Sequence, residues 1–102
     1  MANIRIDVPN EKVAGFCRKW KITEFSLFGS VLREDFRPDS DVDVLVTFEE
    51  RSQWSLLDIV AMKEELKGIF GREVDLVEKK WLKNPFRRHE ILTTRETIHA
   101  NG

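Results

Sequence analysis

Cysteine is nearly absent from this chain: Cys17 is the only one. A lone thiol rules out an intramolecular disulfide framework and a multi-cysteine zinc site, and it suits a reducing compartment. A surplus of one charge is missing too, with 17 Lys and Arg against 18 Asp and Glu and a formal net charge of -1. That balance argues against an autonomous DNA or RNA binder, which ordinarily carries a basic excess. No apolar run approaches the ~18 residues that span a bilayer, and the amino end lacks a basic segment leading into an apolar one. The expected protein is cytoplasmic, without a membrane segment and without a direct nucleic-acid partner. Repeats, linkers and low-complexity stretches are lacking as well, and 102 residues make one compact domain over 1–102 with no room for a separate substrate-binding domain.

What the chain does have is core-forming material. Apolar residues make up 41% of it, including seven Phe and three Trp, unlike the aromatic-poor, highly charged composition of disordered chains. Pro9 and Asn10 precede Val13, Ala14, Phe16, Cys17 and Trp20, whose spacing predicts a helix over 11–20 with Cys17 buried. Residues 24–28 form a short β-prone run stopped by Gly29, and 42–48 a stronger one rich in β-branched residues. Ser55 with Asp58 three residues on resembles a capping box, and an apolar stripe from Leu56 to Phe70 stops at Gly71, which predicts the longest helix. A third strand is expected over 73–77, with Val74 and Leu76 on one side and Asp75 and Val77 on the other. In the weaker tail Pro85 opens a short helix through Leu92, and the last residues are expected to fray. The order predicts an α+β (mixed α/β) domain, a short mixed sheet of three to four strands flanked by helices.

The chemistry concentrates in Leu27-Phe28-Gly29-Ser30, followed after a ten-residue spacer by Asp41-Val42-Asp43 at the head of an apolar strand. Alternate strand residues share a face, so Asp41 and Asp43 project together with backbone positions roughly 6.5 to 7 Å apart. Two carboxylates within ~4 Å repel by about 4 kcal/mol at an effective dielectric near 20, an arrangement that makes sense around a cation. Hard oxygen ligands completed by substrate phosphates suit Mg2+ or Mn2+. Gly29 allows a sharp turn and close approach, while the Ser30 hydroxyl and nearby amides can donate to phosphate oxygens. A short helix starting at Val31 would add the positive potential of its amino end. Each residue alone has an ordinary reading, as turn cap, solvated strand residue or loop dipeptide. At about 6% of composition each, four fixed positions coincide by chance in roughly one such chain in a thousand.

At these residues the chain resembles the nucleotidyltransferase superfamily that includes DNA polymerase beta and kanamycin nucleotidyltransferase. More closely, it is similar to the minimal nucleotidyltransferases, MNT or MntA, that serve as antitoxins in HEPN/MNT pairs. The similarity continues through Arg33, through Arg37-Pro38-Asp39-Ser40, through Ser55-Leu56-Leu57-Asp58 and through Gly71-Arg72-Glu73-Val74-Asp75-Leu76-Val77, covering roughly residues 10 to 95. The resemblance implies the nucleotidyltransferase fold, Mg2+ held by Asp41 and Asp43, ATP as substrate, and pyrophosphate leaving as AMP passes to a hydroxyl. It implies a third carboxylate at Asp75, as general base or orienter of the attacking hydroxyl with a share in the metal. Gly29 and Ser30 become nucleotide-binding residues. Arg33 is read either as a phosphate contact or as a salt-bridge partner of Asp35 or Glu34, and Ser40 either as a cap at the strand entry or as a nucleotide contact. Leu32-Arg33-Glu34 stands where many minimal relatives have Ala-Arg-Gly, so a bulkier, negative residue sits beside the phosphate seat.

The leading expectation is therefore an antitoxin enzyme that transfers AMP from ATP to a tyrosine of a HEPN ribonuclease toxin, its expected partner. An idle antitoxin that only covers the toxin is the alternative, with Trp81 and Phe86 as candidate interface residues, although both read first as core. Transfer to a small molecule such as an aminoglycoside is disfavoured because the chain has no residues for a drug-holding domain. His89 and His99, ten residues apart and outside the motif, read as surface or capping residues. Trp20, Trp54 and Trp81 read as core or edge packing.

Overall fold

The computed structural model describes residues 6–33, 36–37 and 39–100. Helix α1 (Asn10–Trp20) leads into strand β1 (Ile22–Phe28), a 3-10 turn (Gly29–Leu32) and strand β2 (Val42–Phe48). Helix α2 (Leu56–Phe70), strand β3 (Val74–Glu78), a second 3-10 turn (Lys79–Trp81), helix α3 (Pro85–Thr94) and strand β4 (Glu96–Ala100) follow. The sheet runs β3-β2-β1-β4, with β1 antiparallel to both β2 and β4 and β2 parallel to β3. The crossover that a parallel pair requires is supplied by α2.

Alternation along the strands sorts the core into two layers. Phe25, Leu27, Val42, Val44, Val46, Val74 and Leu76 turn to the face packed by Val13, Phe16 and Cys17 of α1 and Met62 and Leu66 of α2. Phe28, Leu45 and Val77 turn to the other face and meet Leu82 and Ile91. The predicted division of β3, with Val74 and Leu76 on one side and Val77 on the other, is thus present.

Local chemistry sets the helix ends. At the start of α2 the Ser55 hydroxyl accepts from the Asp58 N–H at 3.2 Å while the Asp58 carboxylate accepts from the Ser55 N–H at 2.9 Å, the reciprocal capping box read from the sequence. Its other end closes at Gly71, whose φ of 69° lies in the left-handed region. Asn84 caps α3 by accepting from the N–H groups of Phe86 and Arg87 at 3.0 and 3.2 Å, with Pro85 as the first helical residue.

Two expectations about the tail require correction. Of the last residues, expected to fray, 101–102 lie outside the described residues, while 96–100 form β4, which pairs along β1 through Phe25 to His99 and Leu27 to Glu96. Its partner lies 71 residues back in the chain, where the Ser26 hydroxyl donates to Thr97 Oγ1 and Glu24 forms an ion pair with Arg95. Such pairing leaves no local signature in Glu-Thr-Ile-His-Ala. Trp81 and Phe86, read first as core, are 49% and 84% exposed. Phe86 lies five positions from Ile91, about 140° around the helix, so anchoring Ile91 in the core turns Phe86 outward. Trp20 and Trp54 do pack, edge to face with ring centroids 5.1 Å apart.

Cys17 is 1% exposed, and burial pushes its thiol up to about 12. At pH 8 the thiolate fraction should fall by about three orders of magnitude relative to an exposed cysteine. A disulfide reagent is expected to label the protein fast in denaturant and hardly at all when folded; equal rates would contradict a buried thiol.

Candidate active site

β1 and β2 meet at the site. Where β1 ends, Gly29 adopts a φ of 73°, a conformation that L side chains rarely take. The glycine serves a second need: a Cβ built there would collide with the Asp43 carboxylate, reaching Cγ at 3.2 Å. The tight approach lets the Ser30 N–H donate to the Asp43 carboxylate. The Ser30 hydroxyl donates to the Asp41 carbonyl at 3.4 Å. In this structure, then, the Gly-Ser pair engages the aspartate segment directly.

The third carboxylate follows from sheet register. β2 and β3 run parallel with Asp43 opposite Asp75, and the same pairing sets Val42 opposite Val74. Neighbouring strands lie ≈ 4.8 Å apart, so two aspartates at one register level emerge side by side on one face. Asp41 stands one residue before β2, exposed like Asp75, while Asp43 is half-buried. Burial, and next the nearby Asp75 charge, raise the Asp43 carboxyl above its ordinary value; the Ser30 N–H lowers it, Asp41 raises it and Arg33 lowers it.

Among the described residues, no group of three or more His, Cys, Asp or Glu side chains is arranged as a metal-holding cluster. Mg2+ seldom asks for one: it is held by one or two carboxylates with waters and substrate phosphates. A half-buried carboxylate raised by desolvation and by two acidic neighbours is chemically suited to a divalent cation, so the donor set fits.

Asp43, Gly29 and Arg33 line a cavity of about 500 Å³ whose apolar floor includes Phe28 and Leu32. Arg33 is thus placed beside the motif; Glu34 and Asp35, its alternative partners, lie outside the described residues, as does the question of what Glu34 does to the phosphate seat. The expected helix from Val31 is a 3-10 turn, Gly29–Leu32, too short to carry an appreciable dipole. Ser40 accepts from the Arg37 N–H at 3.1 Å through its hydroxyl, a contact within its own loop. His89 and His99 do not line the cavity.

Arg72 was not singled out by its chemistry in the sequence. Its guanidinium donates to the Arg37 carbonyl at 2.9 Å and to the Ser40 carbonyl at 3.5 Å, and lies 4.5 Å from the Phe36 ring. Arg72 therefore ties the approach to β2 onto the approach to β3, and with it the spacing of Asp41 from Asp75. Only its place one residue before a predicted strand could have hinted at this.

Comparison with known proteins agrees with this geometry. The model of the nucleotidyltransferase domain family matches residues 10–98. A protein adenylyltransferase MntA of Thermococcus cleftensis is 42% identical over 66 residues, 65% of this chain and 65% of that protein. A solved structure of a candidate minimal nucleotidyltransferase superposes with a TM-score of 0.69 at 37% identity, over 85% of this chain and 86% of that one. A solved complex of a tri-AMPylated Shewanella oneidensis HEPN toxin with its MNT antitoxin shares the fold at a TM-score of 0.65 and 18% identity, over 90% of this chain and 70% of that one. A family match across nearly the whole domain, with strands that bring Asp43 level with Asp75, leaves one assignment: the chain belongs to the nucleotidyltransferase domain family, as one of its minimal members.

Proposed function

We propose that this protein is a Mg2+-dependent adenylyltransferase and antitoxin, which transfers AMP from ATP to a tyrosine of a HEPN toxin in the cytoplasm. The observation that carries the reading is the register of Asp43 with Asp75 on adjacent strands, beside the Gly29-Ser30 turn. One relative is named as a protein adenylyltransferase, and a structural neighbour is an MNT antitoxin in complex with an AMPylated HEPN toxin, which supports transfer of AMP to a protein and a HEPN toxin as partner.

Asp41 and Asp43 are the residues that would hold the metal, with Asp75 sharing in it. When bound, Mg2+ supplies neutralisation of phosphate charge. Gly29 leaves room for the Asp43 carboxylate to approach the backbone, and Ser30 keeps that carboxylate aimed through its N–H. An Asp75 carboxylate oxygen accepts the proton of the attacking hydroxyl. The hydroxyl oxygen bonds to the α-phosphorus, the bond from that phosphorus to the bridging oxygen breaks, and pyrophosphate departs. Positioning and electrostatic stabilisation carry the rate, as is usual for phosphoryl chemistry. The open rim at Asp41 and Asp75, both exposed, suits an acceptor side chain presented by another protein.

Labelled ATP, Mg2+ and a HEPN toxin encoded beside this gene provide the test. Wild type should label the toxin, and Asp41→Ala combined with Asp43→Ala should reduce labelling by at least about 100-fold. Absence of transfer by wild type sinks the enzyme reading. A double variant that still neutralises the toxin in cells favours an antitoxin acting by cover alone.

A further inference from the structure

The cavity beside Asp43 has a second wall that the sequence motif does not include. It is built from α3: Arg87, Glu90, Ile91 and Thr94 line it opposite Gly29 and Arg33. These positions fall at i, i+3, i+4 and i+7, one stripe of the helix. Ile91 is 5% exposed and packs with Phe28, Leu45 and Leu82. Since the core fixes the rotation of α3 through Ile91, the residue one turn earlier, Arg87, is held over the cavity.

Neighbouring arginines on α3 do different work. Arg88 Nη1 donates to the Lys79 carbonyl at 3.2 Å and ties the helix to the preceding turn. Among the described residues the Arg87 guanidinium has no ion pair or hydrogen bond, and the same holds for Arg33 across the cavity. Glu90 lies one turn from Arg87 on the same wall and forms no ion pair with it. The amide of Arg87 is not available, because Asn84 accepts from it at 3.2 Å, so only the side chain can act on a ligand. Two guanidiniums without an ion pair or hydrogen bond among the described residues thus line a cavity that also holds the Asp43 and Glu90 carboxylates, and cations set beside a carboxylate suited to a metal match a metal-bound polyphosphate rather than a neutral molecule. Arginine suits phosphate through its fork of donors and its fixed charge.

We propose that Arg87 is a phosphate-binding residue of this site, gripping with Arg33 the β- and γ-phosphates of a nucleoside triphosphate. This rests on the nucleotidyltransfer reading above and names how the site recognises its nucleotide. The two arginines hold the part of the substrate that leaves, and they balance the charge that accumulates on the bridging oxygen as the bond to the α-phosphorus breaks.

Equilibrium binding of ATP and of AMP, each with Mg2+, to wild type, Arg87→Gln and Arg87→Lys tests the assignment. Because Arg87 is exposed, neither substitution removes core packing, and thermal melting verifies the fold. Losing one charge-assisted contact should weaken ATP binding by about 10- to 100-fold in Arg87→Gln while AMP binding changes by less than about twofold. Arg87→Lys should recover most of the loss, since lysine binds phosphate as a point charge. Unchanged ATP affinity in Arg87→Gln overturns the proposal, and so does an equal loss for ATP and AMP, which would signal a displaced helix. Wild type that binds ATP with this dependence but labels no toxin defeats the adenylyl-transfer reading and leaves the role of Arg87 in holding phosphate standing. Wild type that labels toxin while Arg87→Gln binds ATP normally defeats only the role of Arg87. Wild type that fails to bind ATP defeats both.

Discussion

Gly29→Ala is expected to abolish nucleotidyl transfer while the protein still folds. Two costs coincide at this position. The backbone φ of 73° strains any residue with a Cβ, at roughly 1–2 kcal/mol. The new methyl would also collide with the Asp43 carboxylate, so Asp43 must swing away and give up the Ser30 N–H. A displacement of ~1 Å in a catalytic group costs on the order of 100-fold in rate, which sets the lower limit of the expected loss. Gly71→Ala provides the matched comparison. Its φ is 69°, nearly the same strain, but a Cβ there meets nothing within 4 Å. Both variants should melt lower than wild type, by roughly 4–16 °C if each loses 1–2 kcal/mol in a domain of this size. Only Gly29→Ala should lose transfer measured with labelled ATP. Equal activity in the two variants would mean that the close approach of Gly29 to Asp43 has no part in the chemistry.

That contrast between two glycines also marks how far the sequence could be read. Both appeared as breakers after periodic segments, and both proved to have positive φ, because chain reversal is a local matter. The strand over 42–48 matched residue for residue, since its run of β-branched residues marks a strand locally, even though Leu45 is buried on the opposite face from Val44 and Val46. Ser55 and Asp58 capped α2 as their spacing implied. Local patterns carried no information about β4, whose residues are at most half-buried and whose strand partner among the described residues, β1, lies far back in the chain. The same divide runs through the site. Gly29, Ser30, Asp41 and Asp43 sit in one continuous stretch and could be singled out together. Asp75 needed the resemblance, because its place opposite Asp43 depends on the parallel register that the α2 crossover sets. Arg72 and Arg87 were invisible as site-related residues for the same reason: what distinguishes each is a partner brought near by the fold, a loop carbonyl for one and a cavity wall for the other.

Asp43→Asn should produce a protein that is inactive yet, without metal, more resistant to heat at neutral pH than wild type. The Asp43 carboxyl is raised above its ordinary value, first by burial and then by Asp75. A group whose folded value exceeds its unfolded value contributes stability that is fully present below the unfolded value and is lost as pH rises through the folded one. At pH 7 the ionised carboxylate is therefore a burden that the metal-free fold carries, and the neutral amide removes it. In chelator, wild type should gain in melting temperature relative to Asp43→Asn as pH falls from 7 toward the carboxylate range. Raising Mg2+ at pH 7 should reverse the order, because a cation bound only by the folded state raises stability by mass action and finds a weaker site in the variant. Transfer by Asp43→Asn should drop by at least about 100-fold, since a charge facing the reacting phosphates has been removed. Melting curves at several pH values, with chelator and with Mg2+, read the whole pattern. If Asp43→Asn melts below wild type at pH 7 in chelator, the carboxylate is stabilising where it sits, and the picture of like charges awaiting a cation fails.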